Sequence, residues 1–202
     1  MKLLHIDTSI LDGQSASRQL TAAIVARLSE STSDIEVIRN DLAAEPIGHL
    51  SAAEFLALQG VEPQDAAAKQ AVVENARFLN DFLAADVIVI GAPMYNFSLP
   101  SQLKAWLDRI MVAGKTFRYT EKGPEGLAGG KRLVIASTRG GLYSNGASMA
   151  SLDHQETYLR AFFGFIGITD ITFVRAEGLA FGSDSRAAAI DAAAAEVEKL
   201  AA

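Results

Sequence analysis

Asp86-Val87-Ile88-Val89-Ile90-Gly91-Ala92-Pro93-Met94-Tyr95-Asn96-Phe97 opens, after its aspartate, with four consecutive β-branched residues. A run without polar alternation has both faces buried. That is the condition of a central strand in a parallel sheet covered by helices on either side. Working outward, four more segments read as strands: Leu3–Asp7, Ile35–Arg39 with period-two alternation, Arg132–Thr138 and Asp170–Arg175. Helical spacing lies between them. Leu20, Ile24 and Leu28 fall on one face, as do Val72, Ala76, Leu79 and Leu83 within Asp65–Ala85, and Leu103, Leu107 and Ile110 within Gln102–Met111. His154–Phe165 and the alanine-rich Arg186–Leu200 complete the set. Gly123–Gly130 reads as a flexible surface stretch, too short for a domain boundary. Five strands separated by helices predict an α/β fold. It is a doubly wound, five-stranded parallel sheet with right-handed crossovers, helices on both faces and a single domain over 1–202.

Composition narrows the function. The chain has 202 residues, half of them hydrophobic, with 18 basic and 24 acidic residues and a net charge of −6. That balance disfavours nucleic acid or an anionic membrane as partner. Without cysteine there is no disulfide, thiolate metal site or thiol nucleophile. His5, His49 and His154 show no metal-ligand spacing, so no metal is expected. The first nine residues do not form a signal peptide, because His5 and Asp7 interrupt the apolar run. No apolar stretch approaches the roughly 20 residues of a membrane span. The expectation is a soluble cytoplasmic protein.

In open parallel sheets ligands bind beyond the carboxyl ends of the strands. Thr8-Ser9-Ile10-Leu11-Asp12-Gly13-Gln14-Ser15-Ala16-Ser17-Arg18 follows the first strand and enters a helix. Hydroxyls beside the free N–H groups of a helix start suit a phosphate. Read alone, the loop needs no more than a serine cap. Rival phosphate motifs fail. There is no Gly-x-Gly; Lys131 follows Gly130, but Glu125 and Arg132 break the Walker pattern; and Gly13-Gln14-Ser15-Ala16-Ser17 lacks the last glycine of a hydrolase elbow.

After the central strand, Met94, Tyr95 and Phe97 are bulky apolar residues in a turn, where small polar ones are usual. They suit a flat heteroaromatic ring with Asn96 at its polar edge, or a subunit interface. Ser98 reads as the cap of the next helix and Pro100 as part of its first turn. After the fourth strand, Thr138-Arg139-Gly140-Gly141 lets backbone approach a ligand closely, or is a simple tight turn.

At these residues the chain resembles the bacterial FMN-dependent NADH:azo/quinone oxidoreductases, the flavodoxin-like azoreductases. The matching pieces are Ser9 with Ser15-Ala16-Ser17, Pro93–Phe97, Thr116–Thr120, Gly123–Leu127, Thr138–Gly141 and Gly164–Thr169. The resemblance implies strand order 2-1-3-4-5. It implies FMN phosphate on Ser9, Ser15, Ala16 and Ser17, with the flavin ring against Met94, Tyr95, Asn96, Phe97, Thr138, Arg139, Gly140 and Gly141. It further implies a homodimer with interfacial sites, and Phe117, Tyr119 and Phe165 facing substrate. No side chain acts as a catalytic nucleophile in this reading.

NADH or NADPH would reduce the flavin, and a quinone or azo compound would then use the same place in a ping-pong cycle. The absence of an obvious basic cluster for a 2′-phosphate favours NADH. Departures from relatives include Thr138 for Ser and Tyr143 for His. Segments 51–64, expected at the pocket mouth, and 146–153 match weakly. Arg118 is open to an anion or a surface ion pair; Trp106, His5 and His154 read as structural. Two other classes compete. One is a flavodoxin-type electron carrier without NAD(P)H oxidising activity. The other is an interaction module that has lost its cofactor.

Overall fold

The computed structural model describes residues 1–30, 34–144 and 146–200. The central sheet holds β1 (Lys2–Asp7), β2 (Glu36–Asp41), β3 (Val87–Pro93), β6 (Arg132–Thr138) and β7 (Asp170–Ala176) in the order β2-β1-β3-β6-β7. Every pairing in it is parallel. Counting only these five strands, the order is the expected 2-1-3-4-5. The helices are α1 (Ala16–Glu30), α2 (Ala52–Ala57), α3 (Ala66–Ala84), α4 (Ser101–Ile110), α5 (His154–Phe165) and α6 (Ser183–Glu198).

Strand β3 shows why its sequence lacks alternation. Val87 and Val89 pack with Leu20, Ile24 and Leu28 of α1 on one face; Ile88 and Ile90 pack with Phe82, Trp106 and Phe163 on the other. All seven β3 residues are buried. Trp106 is fully buried and meets Phe82 edge-on at 5.9 Å. Burial on this scale, about 25 cal/mol per Å² of apolar surface, is the main term holding the sheet between its layers.

Three local expectations are corrected. The core face of α3 is Asn75, Phe78 and Phe82, with Leu79 and Leu83 flanking it and Ala76 exposed. The buried polar Asn75 turns the helix away from the apolar spacing. Gly123–Gly130 is not simply a loop, because Gly123–Gly126 forms β5 and pairs antiparallel with β4 (Phe117–Thr120). That hairpin docks through backbone. A Cβ on Gly126 would lie 2.2 Å from the Gly167 nitrogen, and Ala128 N–H donates to the Ile166 carbonyl at 2.8 Å.

Ser98 does not cap α4. Pro100 occupies the cap position without a side-chain bond, and Ser98 is instead paired with Tyr95 through both backbone groups. The segment 51–64, expected at the pocket mouth, contains the helix α2. It is capped reciprocally by Ser51 and Glu54 and anchored where buried Glu54 meets Arg109 at 2.7 Å and Asn75 at 3.0 Å.

Candidate functional site

The loop from β1 to α1 is held from below. Thr8 Oγ1 donates to the Gly91 carbonyl at 2.6 Å. Ser15 caps α1: its Oγ accepts the Arg18 N–H at 3.3 Å and its carbonyl accepts the Gln19 N–H. The cap leaves the first two helical N–H groups, those of Ala16 and Ser17, without an acceptor among the described residues. The hydroxyls of Ser15 and Ser17 lie 3.1 Å apart, and both side chains are buried beside those donors. Capping and anion binding are therefore compatible here.

Ser9, also buried, is fixed from outside by Arg18, which donates to the Ser9 carbonyl at 3.0 and 3.3 Å. The same guanidinium grips Asp41 with both oxygens at 2.5 and 2.8 Å. Arg18, helped by the Ala43 and Ala44 N–H groups, holds the Asp41 carboxyl at about 2 against burial. Deeper in, burial alone would raise the Asp7 carboxyl, but His5, Thr21 and Arg39 together hold it below its ordinary value.

After β3 the chain makes a two-residue reversal. Tyr95 and Ser98 exchange backbone bonds at 2.9 and 3.1 Å, while Asn96 (φ 48°) and Phe97 (φ 70°) both adopt left-handed conformations. This is the type I′ pattern, which suits Asn and strains Phe. Strain of about 1–3 kcal/mol at a bulky residue persists where the surroundings enforce it, and such residues cluster at ligand sites. The Asn96 amide has no partner among the described residues, and Phe97 stands 44% exposed. Tyr95 reaches across to the first loop, its hydroxyl 3.3 Å from Ser9 Oγ and accepting the Ile10 N–H at 3.2 Å.

Beyond β6, Met94 N–H donates to the Thr138 carbonyl at 2.8 Å and ties the two loops together. The carbonyls of Arg139, Gly140 and Gly141 accept the N–H groups of Leu179, Ala180 and Gly178 at 3.0–3.1 Å. The N–H groups of Gly140 and Gly141 find no acceptor among the described residues. The turn therefore presents donors only. Tyr143 stands edge-on to Phe97 at 6.4 Å, so this loop borders the same cleft. Ile10, Leu11, Phe97 and Leu142 are exposed apolar residues on these loops, as is Phe181 on the loop after β7.

A model of the flavodoxin-like fold matches residues 1–201. The chain belongs to the flavodoxin-like fold family. Within that family it is 59% identical to an FMN-dependent NADH:quinone oxidoreductase of Methylocella silvestris over 99% of this chain and 98% of the relative. It is 57% identical to the protein of that name in Rhizobium meliloti, over 98% and 94%. Among solved structures, an FMN-dependent NADH-azoreductase from Bacillus anthracis in complex with FMN superposes with a TM-score of 0.88 at 29% identity, covering 98% of this chain and 96% of that one.

In this flavodoxin-like chain, Ser9, Ser15–Ser17, Met94–Phe97 and Thr138–Gly141 lie together at one end of the sheet. Arg139 is there by its backbone only. Its guanidinium is fully buried among Asp153, Glu156 and Glu177. Phe117, Tyr119 and Phe165 also form one cluster, with ring centroids 5.1 and 5.4 Å apart, but a separate one. His154, at the start of α5, donates its N–H to the Phe97 carbonyl, whereas Phe165 is at the far end of that helix. Twelve residues put the two ends about 17 Å apart. Arg118 is occupied by Glu125 at 2.8 Å in a surface pair.

Residues missed from sequence are supporting ones: Arg18 and Asp41, Glu177, and Gln155. Gln155 accepts from Ser137 at 3.0 Å and donates to the Ala92 carbonyl at 2.8 Å, clamping β3 to β6 beneath the cleft. A carboxylate two residues beyond a predicted strand, as Glu177 is, was the one available signal.

Proposed function

We propose that this chain is an FMN-dependent NADH:quinone oxidoreductase that also reduces azo compounds. The observation that carries the reading is the convergence of three loops at one sheet end. Unpaired donors at Ala16–Ser17 suit a phosphate. Unpaired donors at Gly140–Gly141 and the free Asn96 amide suit the acceptor edge of a ring, and the exposed Phe97 lies beside them. The residues present fit FMN. Bound there, FMN would supply two-electron chemistry, accepting a hydride from NADH and passing it on to a quinone or azo compound.

The chain's own contribution is binding and polarity. Ser9, Ser15, Ala16 and Ser17 hold the phosphate; Met94–Phe97 and Thr138–Gly141 orient the ring. Donor-only backbone at Gly140–Gly141 favours the negative charge that reduction places on the ring. With FMN bound there, the one cleft would serve both substrates in turn, in a ping-pong cycle. A quinone takes two electrons and two protons to the hydroquinone; an azo bond takes four of each to two amines. NADH is the favoured donor and NADPH a weaker one.

The same reading makes the protein a cytoplasmic homodimer. Tyr119 is 76% exposed, and Phe165 also stands out at the end of α5 opposite His154, away from Phe97, so they would line the site of a second copy. Exposed Phe55 and Leu56 on α2 would shape the pocket mouth. No described helix is long and apolar enough to cross a membrane.

The test is a visible spectrum after FMN addition and desalting, followed by anaerobic NADH. Retained flavin that bleaches, and regains colour with a quinone or azo dye, is expected. Failure to retain flavin overturns the site assignment. Retained flavin that neither NADH nor NADPH bleaches overturns the enzyme reading in favour of an electron carrier.

A further inference from the structure

Glu177 follows β7 directly, and its carboxylate is the hub of the loop after β6. Oε1 accepts the Tyr143 N–H at 2.7 Å, the Ser144 N–H at 3.0 Å and Arg139 Nη1 at 3.2 Å. Oε2 accepts the Ser144 hydroxyl. Burial opposes the charge, but Ser144, Tyr143 and Arg139 outweigh it and hold the carboxyl below its ordinary value. The three residues after Glu177 take up the carbonyls of Arg139, Gly140 and Gly141. One short segment, 177–180, thus consumes every acceptor of the turn and pins both of its flanks. The two glycine N–H groups are what remains.

From this geometry, and resting on the FMN reading above, we propose that Glu177 is a positioning residue for the flavin. It touches no reacting atom. It holds residues 139–144 so that the Gly140 and Gly141 donors stay aimed into the cleft, where they favour the reduced over the oxidised ring. Arg139 serves the same end from the other side. Its guanidinium is fixed by Ser137 Oγ at 3.2 Å, by Asp153 at 3.0 Å and by Glu156, and Glu156 is gripped in turn by Arg175 at 2.7 Å through both oxygens. The buried cation therefore keeps two carboxylates when Glu177 is removed, so the substitution leaves no bare charge in the core.

The experiment compares the wild type with Glu177→Ala and Glu177→Gln. The readouts are the two-electron potential of bound FMN and the dissociation constants of FMN and riboflavin. In Glu177→Ala the preference for reduced flavin is expected to fall about tenfold, a potential lower by about 30 mV. FMN and riboflavin should weaken by the same factor, because the defect lies at the ring and not at the phosphate. Glu177→Gln keeps an oxygen for the Tyr143 and Ser144 N–H groups and should recover most of the wild-type potential.

An unchanged potential in a Glu177→Ala protein that merely melts earlier overturns the proposal. So does a loss confined to FMN with riboflavin unaffected. Should the alanine variant not fold, Ser144→Ala, which removes one of the four bonds, carries the test: a smaller shift in the same direction supports the proposal, and none overturns it. If the wild type itself retains no flavin, the functional reading fails first, and the two failures are told apart.

Discussion

Asn96 fills two roles that substitution can separate. Its backbone sits at φ 48° in the reversal between β3 and α4, and its free amide stands at the cleft. Left-handed backbone costs an ordinary residue roughly 1–2 kcal/mol, which Asn largely escapes. Asn96→Ala should therefore destabilise the flavin-free protein by about 1 kcal/mol, lowering its melting temperature by about 2–4 °C for a chain of this size. Asn96→Gly adopts the conformation freely and should melt close to the wild type. Both variants lose the amide, which as a hydrogen bond to the ring is worth about 1 kcal/mol, or about fivefold in affinity. The assay pairs thermal melts of the apoprotein with FMN titration by flavin fluorescence. Unchanged FMN affinity in Asn96→Gly would refute the role of the amide. A wild-type melt for Asn96→Ala would refute the backbone argument.

Three further outcomes are expected. Arg18→Lys, which cannot make the two-pronged grip on Asp41 and the Ser9 carbonyl, should weaken FMN about tenfold while leaving riboflavin within twofold; equal losses would contradict a phosphate-side role. Glu54, with an ordinary value of 4.5, is held at about 2 by Ser51, Asn75 and Arg109 despite burial. Its charged form is favoured by the fold, so the stabilisation is full above pH 4.5 and lost as pH falls toward 2. The gap is worth about 3 kcal/mol, read as a urea midpoint that falls between pH 7 and pH 3 more steeply than in Glu54→Gln. Tyr119→Ala should retain FMN yet raise KM for quinone. Mixed with a flavin-deficient variant carrying an intact Tyr119, it should form hybrids that regain wild-type KM in half of their sites; no recovery would show that each chain serves its own site.

The sheet was legible because parallel strands leave a direct mark: the unbroken Val87–Ile90 run has to be buried on both faces. The convergence of loops at one sheet end was legible from local sequence at Ser15–Ser17, Met94–Phe97 and Gly140–Gly141. What could not be read depends on partners distant along the chain. Helix α2 has only six residues and rests on Arg109, 55 positions from Glu54. The α3 face was misplaced because its centre is the polar Asn75, buried for the sake of that same arginine. Gly123–Gly126 has the composition of a loop and becomes a strand only through β4, whose register supplies the hydrogen bonds that its own residues do not advertise. Glu177 could not be assigned a role without the loop it holds.

The contact between Gly126 and Gly167 has a mechanical side. No side chain separates the two backbones, and a methyl group at Gly126 would overlap Gly167 atoms at 2.2 and 2.6 Å. There is no compressible layer there to act as a hinge, so the hairpin and the end of α5 move as a single arm. Tyr119 and Phe165 are thus carried on a stiff strut. In the homodimer proposed above, any change in the width of the proposed substrate slot would come from one whole subunit rocking against the other.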